Sequence, residues 1–118
     1  MEHTATMSAE MRTAIESCMT CSAMCEQTIA YCMDMPGTMM DPKMMRIMMD
    51  CAEMTKLCAD MMCRMSPMAG EMCGMCMRMC MMCAEMCEKM PDDAQMMKLA
   101  QMCRSCADSC RAMSTVAA

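Results

Sequence analysis

Aromatic residues are almost missing from this chain of 118 residues: there is no Trp, no Phe and a single Tyr, Tyr31. Leu occurs only at Leu57 and Leu99, and Ile only at Ile15, Ile29 and Ile47. The ordinary bulky core formers are therefore lacking, and so are the stacking platforms that hold single-stranded nucleic acids. Only one histidine is present, His3 in the N-terminal tail. That excludes Ser-His-Asp and Cys-His nucleophiles in the body of the chain, and no enzyme is expected. β-Branched residues are sparse and never alternate, so there is no strand signal. Basic residues form no patch: ten are interspersed among 15 acidic ones, for a net charge of −5, which argues against nucleic-acid binding. No run of about 18 uncharged apolar residues exists, so no membrane-spanning helix is expected. Met1 to Ala9 has no basic segment followed by an apolar one, and the expectation is a cytoplasmic protein with reduced thiols.

Sulfur fills the gap. The chain has 15 Cys and 30 Met. Met favours helix and can replace Leu in a core, but its flexibility specifies packing weakly. The cysteines are patterned. Cys73, Cys76, Cys80, Cys83 and Cys87 are spaced +3, +4, +3, +4, the rhythm of a helix seam. Cys18, Cys21, Cys25 and Cys32 repeat the pattern, as do Cys103, Cys106 and Cys110, while Cys51 and Cys58 share another stripe. Cys63 lies off that stripe.

Proline and glycine punctuate the chain at Pro36-Gly37, Asp41-Pro42, Ser66-Pro67 and Met90-Pro91-Asp92-Asp93. With caps at Ser8, Asp41, Ser66 and an aspartate after Pro91, these breaks predict helices over about 8–34, 42–65, 67–90 and 92–114. Short connections make neighbours antiparallel. The expected fold is all-α: one up-down four-helix bundle over residues 1–118, with a cysteine-lined core. Lys43, Arg46, Asp50, Glu53, Lys56 and Asp60 form a solvent stripe on the second helix. On the third, Met72, Met75, Met79, Met82 and Met86 run beside the thiols. That helix is apolar nearly all round, which predicts homo-oligomerisation through its outer face.

Rows of inward thiols suit metal binding better than packing, because Cys fills volume poorly, and better than disulfides, because mid-helix bridges strain the backbone. Zinc favours thiolate with imidazole, and four thiolates on one zinc leave excess charge in a buried site. Iron–sulfur clusters sit on loops, whereas these units lie within helices; a redox protein of that type remains an alternative, as does a metal-free structural bundle. Cu(I) is soft, takes thiolate and thioether, tolerates low coordination, and leaves no net charge at one ion per thiolate. Multiple Cu(I) ions held by Cys, with Met assisting entry, is the function the residues support best. Loop methionines gather at one end of the expected bundle, where Met40, Met44 and Met48 are the candidate entry ligands, with Met33, Met35, Met39, Met45, Met90, Met96 and Met97 nearby. The opposite end, with Met11, Met65, Met68 and Met113, is the alternative entrance.

The combination Cys18-x-x-Cys21-x-x-x-Cys25, Cys73-x-x-Cys76-x-x-x-Cys80-x-x-Cys83-x-x-x-Cys87 and Cys103-x-x-Cys106-x-x-x-Cys110 resembles the bacterial copper storage proteins over roughly residues 8 to 113. The resemblance implies a tetramer of bundles, each holding many Cu(I) ions through inward Cys. By position it carries the ligand role onto the three Cys rows and onto Cys51 and Cys58, and Cys63, two residues off that stripe, is kept as a further candidate ligand. Family members often place His near the copper entrance; this chain has none there, and Met stands in such positions.

Overall fold

In the computed structural model of the protein, residues 7–35, 37 and 41–115 are described, and four helices account for most of them. They are α1 (Ala9–Asp34), α2 (Pro42–Cys63), α3 (Ala69–Cys87) and α4 (Ala94–Met113). Each helix packs on two others: α1 on α2 and α4, and α3 on α2 and α4. With short links this cyclic order makes an antiparallel up-down bundle 51 × 28 × 20 Å in extent.

Local chemistry sets most of the ends. Ser8 Oγ accepts from the Met11 N–H at 3.0 Å and starts α1. Met35 precedes Pro36, which disfavours helical backbone before it, and α1 stops at Asp34. Asp41 caps α2 with Pro42 in the first helical position, and Asp93 Oδ1 caps α4 by accepting from the Met96 N–H. Tyr31 donates to the other oxygen of Asp93 at 2.6 Å, pinning the end of α1 to the start of α4.

α3 departs from expectation at both ends. Its start lies two residues beyond Pro67, because Ser66 is committed to ending α2. The Ser66 N–H donates to the Met61 carbonyl and the Met65 N–H to that of Met62, with Met65 left-handed at φ 53°. This pair of bonds is a Schellman closure in which Met occupies the position glycine usually takes. A turn over Pro67 and Met68 then reverses the chain, closed by the Ala69 N–H on the Ser66 carbonyl. At its other end α3 stops at Cys87 and winds through a turn to Met90, whose N–H still donates to the Cys87 carbonyl before Pro91 ends the run.

The core is sulfur and methyl groups. Besides Cys it holds Ala14, Ala52, Ala59, Ala84, Ala100 and Ala107, whose small side chains let the helices approach closely. Met48, Met62, Met96 and Leu99 are its largest fully buried side chains. Among the described residues the only buried polar side chains are Thr28 and Thr55, and each donates to a carbonyl one turn back, Met24 and Cys51 respectively. No cationic side chain reaches the interior among the described residues.

Candidate metal centre

Fourteen of the 15 cysteines are fully buried, and none is in a disulfide. α1 contributes Cys18, Cys21, Cys25 and Cys32; α2 contributes Cys51 and Cys58; α3 contributes Cys73, Cys76, Cys80, Cys83 and Cys87; α4 contributes Cys103, Cys106 and Cys110. All four helices therefore turn thiols to one axis, as a seam at +3, +4 spacing must when its face is the buried one.

The thiols meet across helices. Cys18 and Cys110 lie 3.5 Å apart, Cys58 and Cys73 3.6 Å, Cys106 and Cys18 3.7 Å, and Cys21 and Cys103 3.8 Å. Three groups have all their sulfur atoms within 4.8 Å of one another: Cys18, Cys76, Cys106 and Cys110; Cys21, Cys80 and Cys106; and Cys21, Cys25, Cys51 and Cys103. Cys106 belongs to the first and second groups and Cys21 to the second and third, so the groups form one row. Cys58 and Cys73 extend it toward the α2–α3 turn, and Cys83 and Cys87 extend it toward the end of α3.

Acidity in the row is collective. Hydrogen bonds from Cys103 and Cys21 pull Cys51 down to about 2, whereas those from Cys21, Cys25 and Cys51 push Cys103 up, and burial opposes ionisation in both. A first thiolate in such a group is held by the S–H donors around it; each further ionisation meets a charge already present. Cys32 stands apart: burial, and secondarily the Asp93 carboxylate, push its thiol up. Full ionisation of the row thus requires cations from outside the protein, and soft monovalent ones match the donors.

The structure does not bring every candidate to the row. Cys63 is exposed. It lies five residues past Cys58, about 140° round the helix, so it faces solvent at the end of α2. Its accessibility makes it the expected fast thiol: in the reduced chain one cysteine should react with a disulfide reagent under native conditions, and Cys63→Ala should abolish that fast phase. Fast labelling of several thiols would mean that the buried row opens readily.

The candidate entry residues divide. Met44 and Met48 are buried in α2, at 7% and 0% exposure. Met40 and Met39 lie outside the described residues. Met33 and Met35 point outward, so the loop methionines do not all converge. Met44 lines a cavity of about 580 Å³ between the start of α2 and the end of α3, with Met82, Met86 and Met90 on its wall and Asp41, Lys43, Glu85 and Lys89 among its polar residues. Sequence reasoning missed Met82 and Met86 here, having placed them in a stripe for subunit contact.

A four-helix bundle whose axis is a continuous row of reduced thiols belongs to the class of soft-metal-binding bundles. Within that class the chain belongs to the copper storage protein family, whose pattern matches residues 7–115. It is similar in structure to a protein from Nitrosospira multiformis, at 29% identity over 89% of this chain and 94% of that one, with a TM-score of 0.83. It is also similar to the Cu(I)-bound copper storage protein 3 of Bacillus subtilis, at 26% identity over 90% of this chain and 99% of the other, with a TM-score of 0.84. The Streptomyces lividans copper storage protein loaded with 10 copper equivalents shares the fold, at 24% identity over 88% and 83% of the two chains and a TM-score of 0.82. No curated protein matches the chain. The family is one of storage proteins rather than enzymes.

Proposed function

We propose that this chain stores multiple Cu(I) ions along its bundle axis, with its fourteen buried cysteines as ligands. The observation that carries this is the row itself: contacting thiols from four helices, linked through Cys21 and Cys106, with no cationic side chain among the described residues to balance them. Cu(I) displaces one proton from each thiol it binds and restores neutrality at one ion per thiolate. Zinc at the same sites would need several thiolates per ion and would leave the core negatively charged.

Met assists entry in this reading. Thioethers bind Cu(I) weakly enough to pass it on, and Met44 stands at the bundle end toward which Cys83, Cys87 and Cys32 lead. The Met40→Leu/Met44→Leu/Met48→Leu variant should take up Cu(I) several-fold more slowly while keeping wild-type capacity. Wild-type uptake rates would place the entrance elsewhere.

No helix among the described residues is long and apolar enough to cross a membrane. A cytoplasmic location is supported by the reduced thiols and by a Streptomyces lividans neighbour described as cytosolic. A homotetramer is implied by the family resemblance and supported by Met49, Leu57, Met75 and Met82 on the outer surfaces of α2 and α3, each more than two-fifths exposed. The deciding experiment is anaerobic Cu(I) titration of the reduced chain against a competing chelator. Saturation near one ion per buried Cys establishes storage; saturation at one or two ions would replace it with a transfer role.

A further inference from the structure

The sulfur row ends in a thioether. At the α2–α3 turn, Met62 is fully buried, and Cys73 donates its S–H to the Met62 sulfur at 3.7 Å. Cys73 also lies 3.6 Å from Cys58. Cys58 and Met62 are four residues apart on α2 and so share a face of that helix. Three sulfur atoms, two from thiols and one from a thioether, therefore converge from two helices at the bundle end opposite Met44.

We propose that Cys58, Cys73 and Met62 form a three-coordinate Cu(I) site that closes the row, with Met62 as a ligand. This rests on the storage reading above. A three-coordinate ion with metal–sulfur bonds of about 2.3 Å needs sulfur atoms about 4 Å apart, and the Cys58–Cys73 and Cys73–Met62 edges, at 3.6 and 3.7 Å, are close to that. The lone pair that now accepts the Cys73 S–H is the one that would donate to the metal. On binding, Cu(I) replaces the Cys73 and Cys58 protons, which leave to solvent, and no sulfur changes oxidation state. Two thiolates carry one negative charge more than one Cu(I) neutralises, and Cys58, which also bonds to Cys18, Cys76 and Cys110, shares its thiolate with the next ion of the row to offset it; a neutral thioether completes the coordination without adding further charge to a buried site.

The placement also explains why Met62 differs from its neighbours in the turn. Met61 is only partly buried, Cys63 and Met65 are exposed, and Met62 alone enters the interior. A buried apolar side chain at this position could be Leu or Ile on packing grounds. What Leu cannot supply is the acceptor that Cys73 uses.

The test compares wild type, Met62→Leu and Met77→Leu. Leu preserves volume, and Met77 is buried on α3 without a place in the proposed site. Each reduced protein is loaded with Cu(I) anaerobically and challenged with a graded chelator, and the cysteines freed are alkylated and located by mass spectrometry. In Met62→Leu, one ion per chain should be lost at a chelator strength about tenfold lower than in wild type, with alkylation appearing first at Cys73 and Cys58. Met77→Leu should behave as wild type. Identical release from Met62→Leu and wild type, both fully loaded, would reduce Met62 to packing. Failure of wild type itself to load would remove the storage reading instead. Metal-free melting of both variants shows whether any difference is one of folding rather than of ligation.

Discussion

Loading the reduced chain with Cu(I) should raise its unfolding temperature by more than about 30 °C. The metal-free bundle has weak means of holding itself together. Among the described residues its fully buried large apolar side chains are Met48, Met62, Met96 and Leu99, and much of the remaining core is Cys and Ala. Small side chains remove little apolar area from water, and Met specifies packing loosely. Cu(I) changes this by joining helices that otherwise only touch. An ion shared by Cys21 and Cys103 would tie α1 to α4, and one shared by Cys58 and Cys73 would tie α2 to α3. Each site held at a thousandfold excess over its dissociation constant contributes about 4 kcal/mol. Four such sites would contribute about 16 kcal/mol, comparable to the whole stability of an ordinary domain. Binding of Cu(I) to the unfolded chain offsets part of this, because free cysteines are ligands too. The folded row keeps its advantage where one thiol serves two groups, an arrangement a disordered chain does not hold. Circular dichroism melts at increasing Cu(I) check the expectation. A shift of less than about 5 °C at saturation would show that ions sit outside the core.

The architecture was legible because two signals agreed. Proline and aspartate marked the helix starts at Pro42 and Ala94, and the +3, +4 cysteine rhythm marked one buried face on each of α1, α3 and α4. The third expected start, after Ser66, was displaced because its backbone N–H closes the preceding helix, a tertiary use that the Ser-Pro pair cannot announce. The exposure of Cys63 was signalled by its departure from the Cys51/Cys58 stripe.

Partnership between helices was not legible. Periodicity says which face a thiol occupies, but not how far one helix slides along the next. Cys21 meets Cys103 across 82 residues, and that register follows from the three turns and from ties such as Tyr31 to Asp93. Methionine posed the harder problem. With 30 of them, spacing alone cannot separate Met62, whose sulfur reaches a thiol, from Met33, which lies in solvent. The same excess hid the cavity beside Met44, whose Met82 and Met86 walls come from a stripe that also suits subunit contact.

Removing the two linking thiols should cost more copper than two thiols' worth. Cys21 belongs to two of the three close sulfur groups, and so does Cys106. In the Cys21→Ala/Cys106→Ala variant the first group keeps Cys18, Cys76 and Cys110, the third keeps Cys25, Cys51 and Cys103, and the second keeps only Cys80. Neutral copper–thiolate arrays depend on thiolates bridging successive ions, so an interrupted row must leave ions with incomplete coordination on both sides of the gap. The expected loss is about four ions per chain where strict proportion would give two, since each missing bridge deprives the ions on both its sides. A matched control is Cys32→Ala/Cys63→Ala, which also removes two thiols but none from the three groups, and which should lose at most one ion. Replacement by Ala, unlike Ser, leaves no unsatisfied hydroxyl in the core, and each small cavity should cost about 1 kcal/mol in the metal-free protein. Both variants should therefore fold, which metal-free melting verifies before titration. A loss of only about two ions from the linking pair, against one from the control, would mean that the ions bind independently, one to a buried thiol, and that the contacts through Cys21 and Cys106 are packing without consequence for storage.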